Sequence, residues 1–169
     1  MPTSPHFEAA DLDWLGQSDD VKLEWTGGVP TWEARPSPRH QRAVRDISRS
    51  IASCADQLGN CSCFYLNDTY IRFPDGSLKR PDIAIFCSDP PDQDEALTIV
   101  PEAVIEIISE GYEYKDLVLN PPFYLGQGIQ DIVLFDPRTR VVTHVCRGHN
   151  EVYMAPVTLT LQCGCQVTM

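Results

Sequence analysis

The stretch SLKRPDIAIF, residues 77–86, decides the fold prediction, because turn-forming and charged residues give way there to an apolar run. Pro81 and Asp82 precede this run, and the run itself predicts a buried strand. A second apolar segment, PEAVIEIIS at residues 101–109, predicts a central strand interrupted by Glu106. The two predicted strands therefore each carry one carboxylate.

An ionised carboxylate in an apolar strand loses its hydration unless a cation or hydrogen-bond donors replace the water. If the two strands are neighbours, Asp82 and Glu106 converge and repel each other unless a divalent cation lies between them. Oxygen ligands favour magnesium or manganese, and such an ion supports phosphodiester cleavage. The structural alternative is that Asp82 caps a turn and Glu106 forms an ion pair with Arg80 or Lys79.

The chain has 169 residues, of which 43% are hydrophobic, which is typical of one soluble domain. We expect an acidic N-terminal arm at residues 1–20 and a single domain at residues 21–169. The net charge of −11 argues against broad attraction to nucleic acid, so any DNA binding must be local. With no signal peptide and no apolar run long enough to span a membrane, the sequence predicts a cytoplasmic protein.

Periodicity predicts the order of the elements. VKLEWTGGVPTWEA, residues 21–34, predicts a hairpin, and the apolar stripe at residues 38–58 predicts a helix. Turn residues separate the later apolar runs, which predict strands at 61–66, 69–73, 82–87, 103–109, 129–137, 140–146, 151–157 and 158–164. Residues 88–101 predict a loop, and a short helix is expected with Asn120 as its N-cap.

The polar side of the predicted helix is basic. Four arginines share it: Arg39, Arg42, Arg45 and Arg49. The side is either a solvated helix face, as is usual for an amphipathic helix, or a ridge that contacts phosphates. His40 is interpreted as a residue at the start of the helix rather than a general base, because no carboxylate partner is evident beside it.

The seven cysteines are odd in number, so the sequence favours reduced thiols over a disulfide framework. The motifs CSC and CGC place Cys61, Cys63, Cys163 and Cys165 in pairs on strand faces. Four thiolates would hold zinc if the two strands met, but the spacing is not CxxC, and zinc is not expected. Cys146 and His149 form another candidate ligand pair.

Several motifs together resemble the Uma-two family of restriction-endonuclease-like proteins, a branch of the PD-(D/E)XK nuclease superfamily. The resemblance covers roughly residues 22–137. It rests on five motifs in order: KLEWTGG (22–28), PSPRHQRAV (36–44), KRPDIAIF (79–86), PEAVIEIIS (101–109) and FYLGQGIQDIVLFDP (123–137).

The resemblance implies an α+β fold with a restriction-endonuclease-like core, in which helices flank a mixed central sheet beside the N-terminal hairpin and the C-terminal antiparallel strands. It also implies that Asp82 and Glu106 bind Mg²⁺ or Mn²⁺, and that Glu24 and Gln41 lie in the outer shell of the site. DNA is the implied substrate, and a homodimer the implied assembly.

The sequence departs from the family at the lysine. The family places it four residues after the aspartate that matches Asp116, where this chain has Asn120, and the other superfamily position is Ile108. Asparagine hydrogen-bonds water but carries no charge, so an impaired nuclease is one expectation. Lys115 is either a substitute or, as the preferred interpretation, a solvated surface lysine. The alternatives are an inactive nuclease-fold protein that binds nucleic acid or a partner, and a zinc-stabilised structural protein.

Overall fold

The computed structural model describes residues 21–53 and 61–169, which form three sheets and two α-helices. The predicted arm at residues 1–20 lies outside the described residues. None of the described helices is long and apolar enough to cross a membrane.

The first sheet contains the predicted hairpin. Strands β1 (Val21–Thr26) and β2 (Val29–Ala34) are antiparallel, and the turn between them uses positive φ angles of 56° at Gly27 and 85° at Gly28. Positive φ at both turn positions is the type I′ geometry that glycine permits. Two short strands complete the order β2-β1-β6-β5: β5 (Ile71–Arg72) and β6 (Leu78–Lys79). The sequence assigned β6 to a turn, because a two-residue strand leaves no periodic signal.

Helix α1 (Pro38–Ser50) begins after Ser37, whose Oγ accepts a hydrogen bond from the His40 backbone N–H at 3.3 Å. The helix prediction is confirmed as far as Ser50 and wrong for residues 51–53. Ile51 is extended, and the next two residues form β3 (Ala52–Ser53), which pairs with a C-terminal strand. Residues 54–60, the end of the predicted helix, lie outside the described residues.

The second sheet is the centre of the fold and has the order β11-β10-β9-β8-β7-β4. Its strands are β4 (Phe64–Asn67), β7 (Ile83–Phe86), β8 (Ala103–Ile107), β9 (Asp131–Phe135), β10 (Val141–Cys146) and β11 (His149–Met154). β8 and β9 are parallel and the other neighbours antiparallel, so the prediction of a mixed central sheet is confirmed.

The crossover from β8 to β9 carries a π-helical turn (Lys115–Leu119) that continues into α2 (Asn120–Gly126). Leu119 is the N-cap of α2 and makes no side-chain cap hydrogen bond. The prediction that Asn120 caps this helix is therefore wrong. The side chain of Asn120 points instead into a buried polar cluster, described below.

Apolar clusters cover both faces of the central sheet, as expected for strands that lack a polar alternation. Ile83 and Ile85 of β7 face one cluster, together with Ile47 of α1 and the C-terminal strands. Ala84 and Phe86 face the other cluster, which includes Tyr124 of α2. The helices thus pack on opposite faces of the sheet.

The third sheet has the order β12-β13-β3, with β12 (Thr158–Thr160) and β13 (Cys165–Thr168). Beside it, disulfides join Cys61 to Cys87 and Cys63 to Cys165. This corrects the preference for reduced thiols: the four cysteines lie far apart in the sequence, and nothing local indicated that the fold brings them together. Cys146 and Cys163 are free.

Candidate active site

Asp82 and Glu106 meet where β7 and β8 run side by side. The antiparallel register pairs Ile83 with Ile105, which sets Asp82 opposite Glu106. The Asp82 backbone N–H donates to Glu106 Oε2 at 3.3 Å, and the two residues are only 7% and 2% exposed. The expected convergence of these two carboxylates is therefore present in the structure.

Asp82 is held as a charged group. Its Oδ2 accepts a hydrogen bond from the Ile107 backbone N–H at 2.7 Å and lies 3.1 Å from His40 Nε2. Burial opposes ionisation, but the Lys22 ammonium, His40 and the Ile107 amide outweigh it and lower the pKa of Asp82 to about 2. Asp82 is therefore ionised at neutral pH.

His40 corrects an expectation. It does lie at the start of α1, but it also has a carboxylate partner, Asp82, which is 42 residues away in the sequence. Burial lowers the pKa of His40, and the contact with Asp82 raises it by more, so the net shift is upward. The sequence held no local signal for this pair.

Glu106 is in a different environment. Its Oε1 accepts a hydrogen bond from the Tyr124 hydroxyl at 2.6 Å and lies 3.5 Å from Asn120 Nδ2. Burial raises the pKa of Glu106 to about 7, with the charge of Asp82 adding to the shift and Lys22 opposing it. The pKa values of the two neighbouring carboxyl groups are thus driven apart.

Lys22 is the cation that lies between the two carboxylates. Its Nζ is 3.4 Å from Asp82 Oδ1 and 4.0 Å from Glu106 Oε2. Burial lowers the pKa of Lys22, but the surrounding carboxylates raise it well above its ordinary value. Sequence reasoning missed this residue, because its partners lie 60 or more positions away on other strands.

The structural alternative, in which Glu106 pairs with Arg80 or Lys79, is wrong. Arg80 pairs with Asp68 instead, and Lys79 pairs with Glu24.

A second buried cluster adjoins the first. Glu24 Oε2 accepts from Lys79 Nζ at 2.8 Å, and Glu24 Oε1 accepts from the Arg80 backbone N–H at 2.9 Å. Lys79 Nζ also donates to Asn120 Oδ1 at 2.9 Å, and Asn120 in turn reaches Glu106. Asn120, which replaces the family lysine, is thus hydrogen-bonded directly to Lys79.

Lys115 belongs to this second cluster. It is 9% exposed, and its Nζ contacts Glu33, lies 3.4 Å from Glu24 Oε2 and lies 3.2 Å from Asp116 Oδ1. The preferred interpretation of Lys115 as a solvated surface residue is wrong, because the π-helical turn directs its side chain toward β1 and β2. Burial raises the pKa of Asp116 to about 6, while Lys115 opposes the shift.

A cavity of about 560 Å³ opens over Asp82. Its wall includes Lys22 and His40, the exposed Gln41, and the guanidinium-bearing residues Arg35 and Arg80. Gln41 thus faces the cavity, whereas Glu24 lies in the buried cluster behind it. Of the three lysines in the described chain, Lys22 is the one that lines this cavity.

The donor set fits a hard divalent cation. Asp82 Oδ1 and Glu106 Oε2 are carboxylate oxygens on neighbouring strands, and each lies within 4.0 Å of the same ammonium nitrogen. Magnesium and manganese prefer such oxygen ligands. A divalent ion at this point must displace the Lys22 ammonium, which makes Lys22 its competitor.

The basic residues of α1 lie outside these clusters. All four are exposed on the helix: Arg39, Arg42, Arg45 and Arg49. Arg45 contacts Asp46 at 2.6 Å, so part of the positive charge is neutralised locally. The same helix contributes His40, Gln41 and Val44 to the cavity wall, whereas these four arginines are not among the residues that line it.

Comparisons with known proteins agree with the resemblance in the sequence. A solved structure of a "putative nuclease belonging to DUF820" from Anabaena variabilis is similar to the chain, with a TM-score of 0.63, 20% identity, and coverage of 88% of this chain and 87% of that chain. The likeness confirms the predicted fold class. No curated protein matches the chain significantly. The model of the Uma-two family, described as "Putative restriction endonuclease", matches residues 7–163. Because this match covers most of the sequence, the chain belongs to the Uma-two family.

Proposed function

We propose that the chain is a metal-dependent nuclease that hydrolyses DNA phosphodiester bonds, with Asp82 and Glu106 as the ligands of Mg²⁺ or Mn²⁺. The observation that supports this most is the cross-strand meeting of Asp82 and Glu106 beneath a cavity walled by cationic side chains. Membership of the family and the nuclease-like fold support the general activity. The cytoplasmic location and the homodimer expected from the sequence belong to the same proposal.

The residues around the carboxylates have separate roles in this proposal. His40 and the Ile107 amide hold Asp82 Oδ2, which leaves Oδ1 directed toward Lys22. Tyr124 fixes Glu106 through Oε1, which leaves Oε2 on the side of Asp82. When bound, the ion supplies a Lewis acid that polarises a phosphoryl oxygen and lowers the pKa of water.

The lysine role falls to Lys22 in this proposal. Lys79 and Lys115 are engaged with Glu24, whereas Lys22 lines the cavity and lies beside both carboxylates. Once displaced from the carboxylates, its ammonium faces the space where a phosphate would lie and offsets negative charge that develops there. We assign Asn120 and Lys115 positioning roles, and we expect a lower rate than in a relative with lysine at position 120.

A catalytically inactive nuclease-fold protein that binds nucleic acid or a partner is the second candidate. The observation that favours it is the ammonium of Lys22 at the point where the ion would bind. On this alternative the ion pair is permanent, and neither a divalent ion nor turnover is expected.

Nicking of supercoiled plasmid in Mn²⁺ tests the proposal against this alternative. We expect wild-type protein to nick the plasmid and Asp82→Asn to lose the activity. Asp68→Asn is the matched control, because Asp68 lines the same cavity but is exposed and paired with Arg80. Nicking that persists in Asp82→Asn contradicts the proposal, and inactivity of the wild type without Mn²⁺ binding in a calorimetric titration favours the alternative.

A further inference from the structure

Five of the seven cysteines form two compact groups that share Cys61, away from the candidate active site. Cys61 Sγ lies 3.4 Å from Cys165 Sγ and 4.0 Å from Cys63 Sγ. The sulfurs of Cys61, Cys87 and Cys163 also lie within 4.8 Å of one another. Cys61 is therefore the common neighbour of four other sulfur atoms, and we call these five residues the cysteine cluster.

The fold itself brings the cysteine cluster together, because backbone hydrogen bonds fix all three contributing segments. The Ser62 N–H donates to the Cys87 carbonyl at 3.0 Å, which joins the segment before β4 to the end of β7. Cys165 pairs with Ser53 in the third sheet, and the Leu161 N–H donates to the Cys165 carbonyl at 2.8 Å. These hydrogen bonds fix the backbone around Cys61, Cys87 and Cys165.

We propose that in the reduced chain the cysteine cluster binds one zinc ion through the thiolates of Cys61, Cys63, Cys87 and Cys165. A tetrahedral zinc with Zn–S bonds of about 2.3 Å separates its sulfurs by about 3.8 Å. The separations of 3.4 and 4.0 Å between sulfurs that are not bonded to each other bracket this value. Cys61, Cys63 and Cys165 already form one compact group, and Cys87, which is close to Cys61, turns toward it to complete the site.

The donor set selects the metal. Thiolates are soft ligands that favour zinc and disfavour magnesium, so this site is chemically distinct from the oxygen site at Asp82 and Glu106. Cys61, Cys63 and Cys165 lie in the apolar core, at 6%, 8% and 0% exposure. Four protein ligands in a closed setting are typical of a structural zinc. Such an ion links the segment before β4, the end of β7 and the start of β13.

The two disulfides are the oxidised state of the same positions. Their reduction takes four electrons and four protons, which two equivalents of a dithiol provide while each closes to its own disulfide. Zinc then displaces the protons of the four thiols as it binds. Reoxidation by two equivalents of an external disulfide, which accept the four electrons and are reduced to thiols, re-forms both disulfides and releases the ion. The half-buried Cys163 remains a thiol in both states.

A second group of mixed donors supplies a matched control. His144 Nε2 is 2.8 Å from Asp131 Oδ1, and Cys146 Sγ is 3.2 Å from the same oxygen. Both contact the same carboxylate oxygen and each other, which a hydrogen-bonded triad explains without an ion. Cys146→Ser therefore removes a cysteine and a competing candidate site while leaving the cysteine cluster intact.

The test is metal analysis of the full chain prepared with dithiothreitol and dialysed against limiting zinc. We expect one zinc per chain, and after replacement by cobalt a thiolate-to-cobalt charge-transfer band in the near ultraviolet. Cys61→Ser should lose both signals, whereas Cys146→Ser and Asp82→Asn should retain them. Because Asp82→Asn removes a proposed ligand of the nuclease site, zinc retained by this variant is bound elsewhere, whether or not the chain is a nuclease.

A reduced wild type without zinc and without the charge-transfer band overturns the proposal, as does full zinc retention in Cys61→Ser. If Cys61→Ser fails to fold, titration of the wild type with a mercurial reagent decides instead. Zinc release in step with modification of four thiols supports the site, and release without thiol modification overturns it.

Discussion

At the scale of single residues, Lys22 determines the electrostatic state of the candidate site. Two buried carboxylates side by side repel each other, and the Lys22 ammonium within 4.0 Å of both relieves that repulsion. The same position is the one that a divalent ion would take. Lys22 therefore stabilises the metal-free protein and, in the proposed function, would compete with the metal.

Lys22→Met should separate these two effects. Removing one partner of a buried ion group costs about 3–5 kcal/mol, so we expect a lower melting temperature in EDTA. Without the competing ammonium, Mn²⁺ should bind about tenfold more tightly, which is about 1.4 kcal/mol, and restore much of the loss. Thermal unfolding with and without Mn²⁺ and calorimetric titration measure both. Lys22→Arg, which keeps the charge, is the control. If Lys22→Met is as stable as the wild type in EDTA, Lys22 does not stabilise the metal-free site.

Tyr124 holds the other carboxylate. Its hydroxyl donates to Glu106 Oε1 at 2.6 Å, and both side chains are buried. Tyr124→Phe leaves that oxygen without its strongest donor, so we expect a loss of about 1–3 kcal/mol in urea unfolding. Tyr65→Phe, at an exposed position of β4, should lose almost nothing. Equal losses of stability in the two variants would show that the Tyr124 hydroxyl does not stabilise the protein through its hydrogen bond to Glu106.

At the scale of elements, the sequence predicts the strands that carry the carboxylates and also the hairpin and helix that carry Lys22 and His40, but not the packing that brings them together. The apolar runs beside Asp82 and Glu106 reveal β7 and β8, and strand pairing then brings the two carboxylates together. Lys22 and His40 belong to β1 and α1, whose packing against β7 is set by contacts between distant segments. Such contacts leave no periodic pattern in a single sequence.

The same reasoning explains the errors over Lys115 and the disulfides. A lysine before a helix is usually solvated, and only the docking of the π-helical turn against β1 and β2 buries this one. Cys63 and Cys165 are separated by 102 positions: Cys63 directly precedes β4 of the central sheet, and Cys165 begins β13 of the third sheet, whose strands have two to four residues. Short strands and long separations are where pattern reasoning fails.

Glu24 links β1 to β6 and to the π-helical turn, and it should make stability depend on pH. Burial raises the pKa of Glu24, but Lys79, Lys22 and Lys115 outweigh this and lower it far below the ordinary value. A depressed carboxylate pKa gives stability that is complete above the unfolded-state pKa of about 4.3 and declines as the pH falls below it.

We therefore expect the urea midpoint of the wild type to fall between pH 5 and pH 3, by more than that of Glu24→Gln. Urea unfolding at a series of pH values measures the slope. Glu95→Gln, in the exposed loop after β7, should follow the wild type. A Glu24→Gln slope equal to that of the wild type would mean that this carboxylate is not stabilised by its lysines.

At the scale of the whole molecule, charge is distributed unevenly. The chain carries a net charge of −11, yet four arginines lie exposed on α1, the helix that also contributes to the wall of the cavity over Asp82. Long-range attraction to DNA is therefore unfavourable, and contact depends on one surface. In the proposed function, DNA that enters the cavity would also contact exposed arginines of α1.

The salt dependence of DNA binding tests this view of the surface. If four arginines each contact one phosphate, log K should fall with log salt concentration with a slope of about −3.6. Arg39→Gln with Arg42→Gln should reduce that slope by about 1.8, because two phosphate contacts are lost. Arg147→Gln, an exposed arginine on the turn between β10 and β11, should leave it unchanged. Fluorescence anisotropy with a short duplex measures the slopes, and an Arg147→Gln effect as large as that of the double variant would place the DNA on a different face.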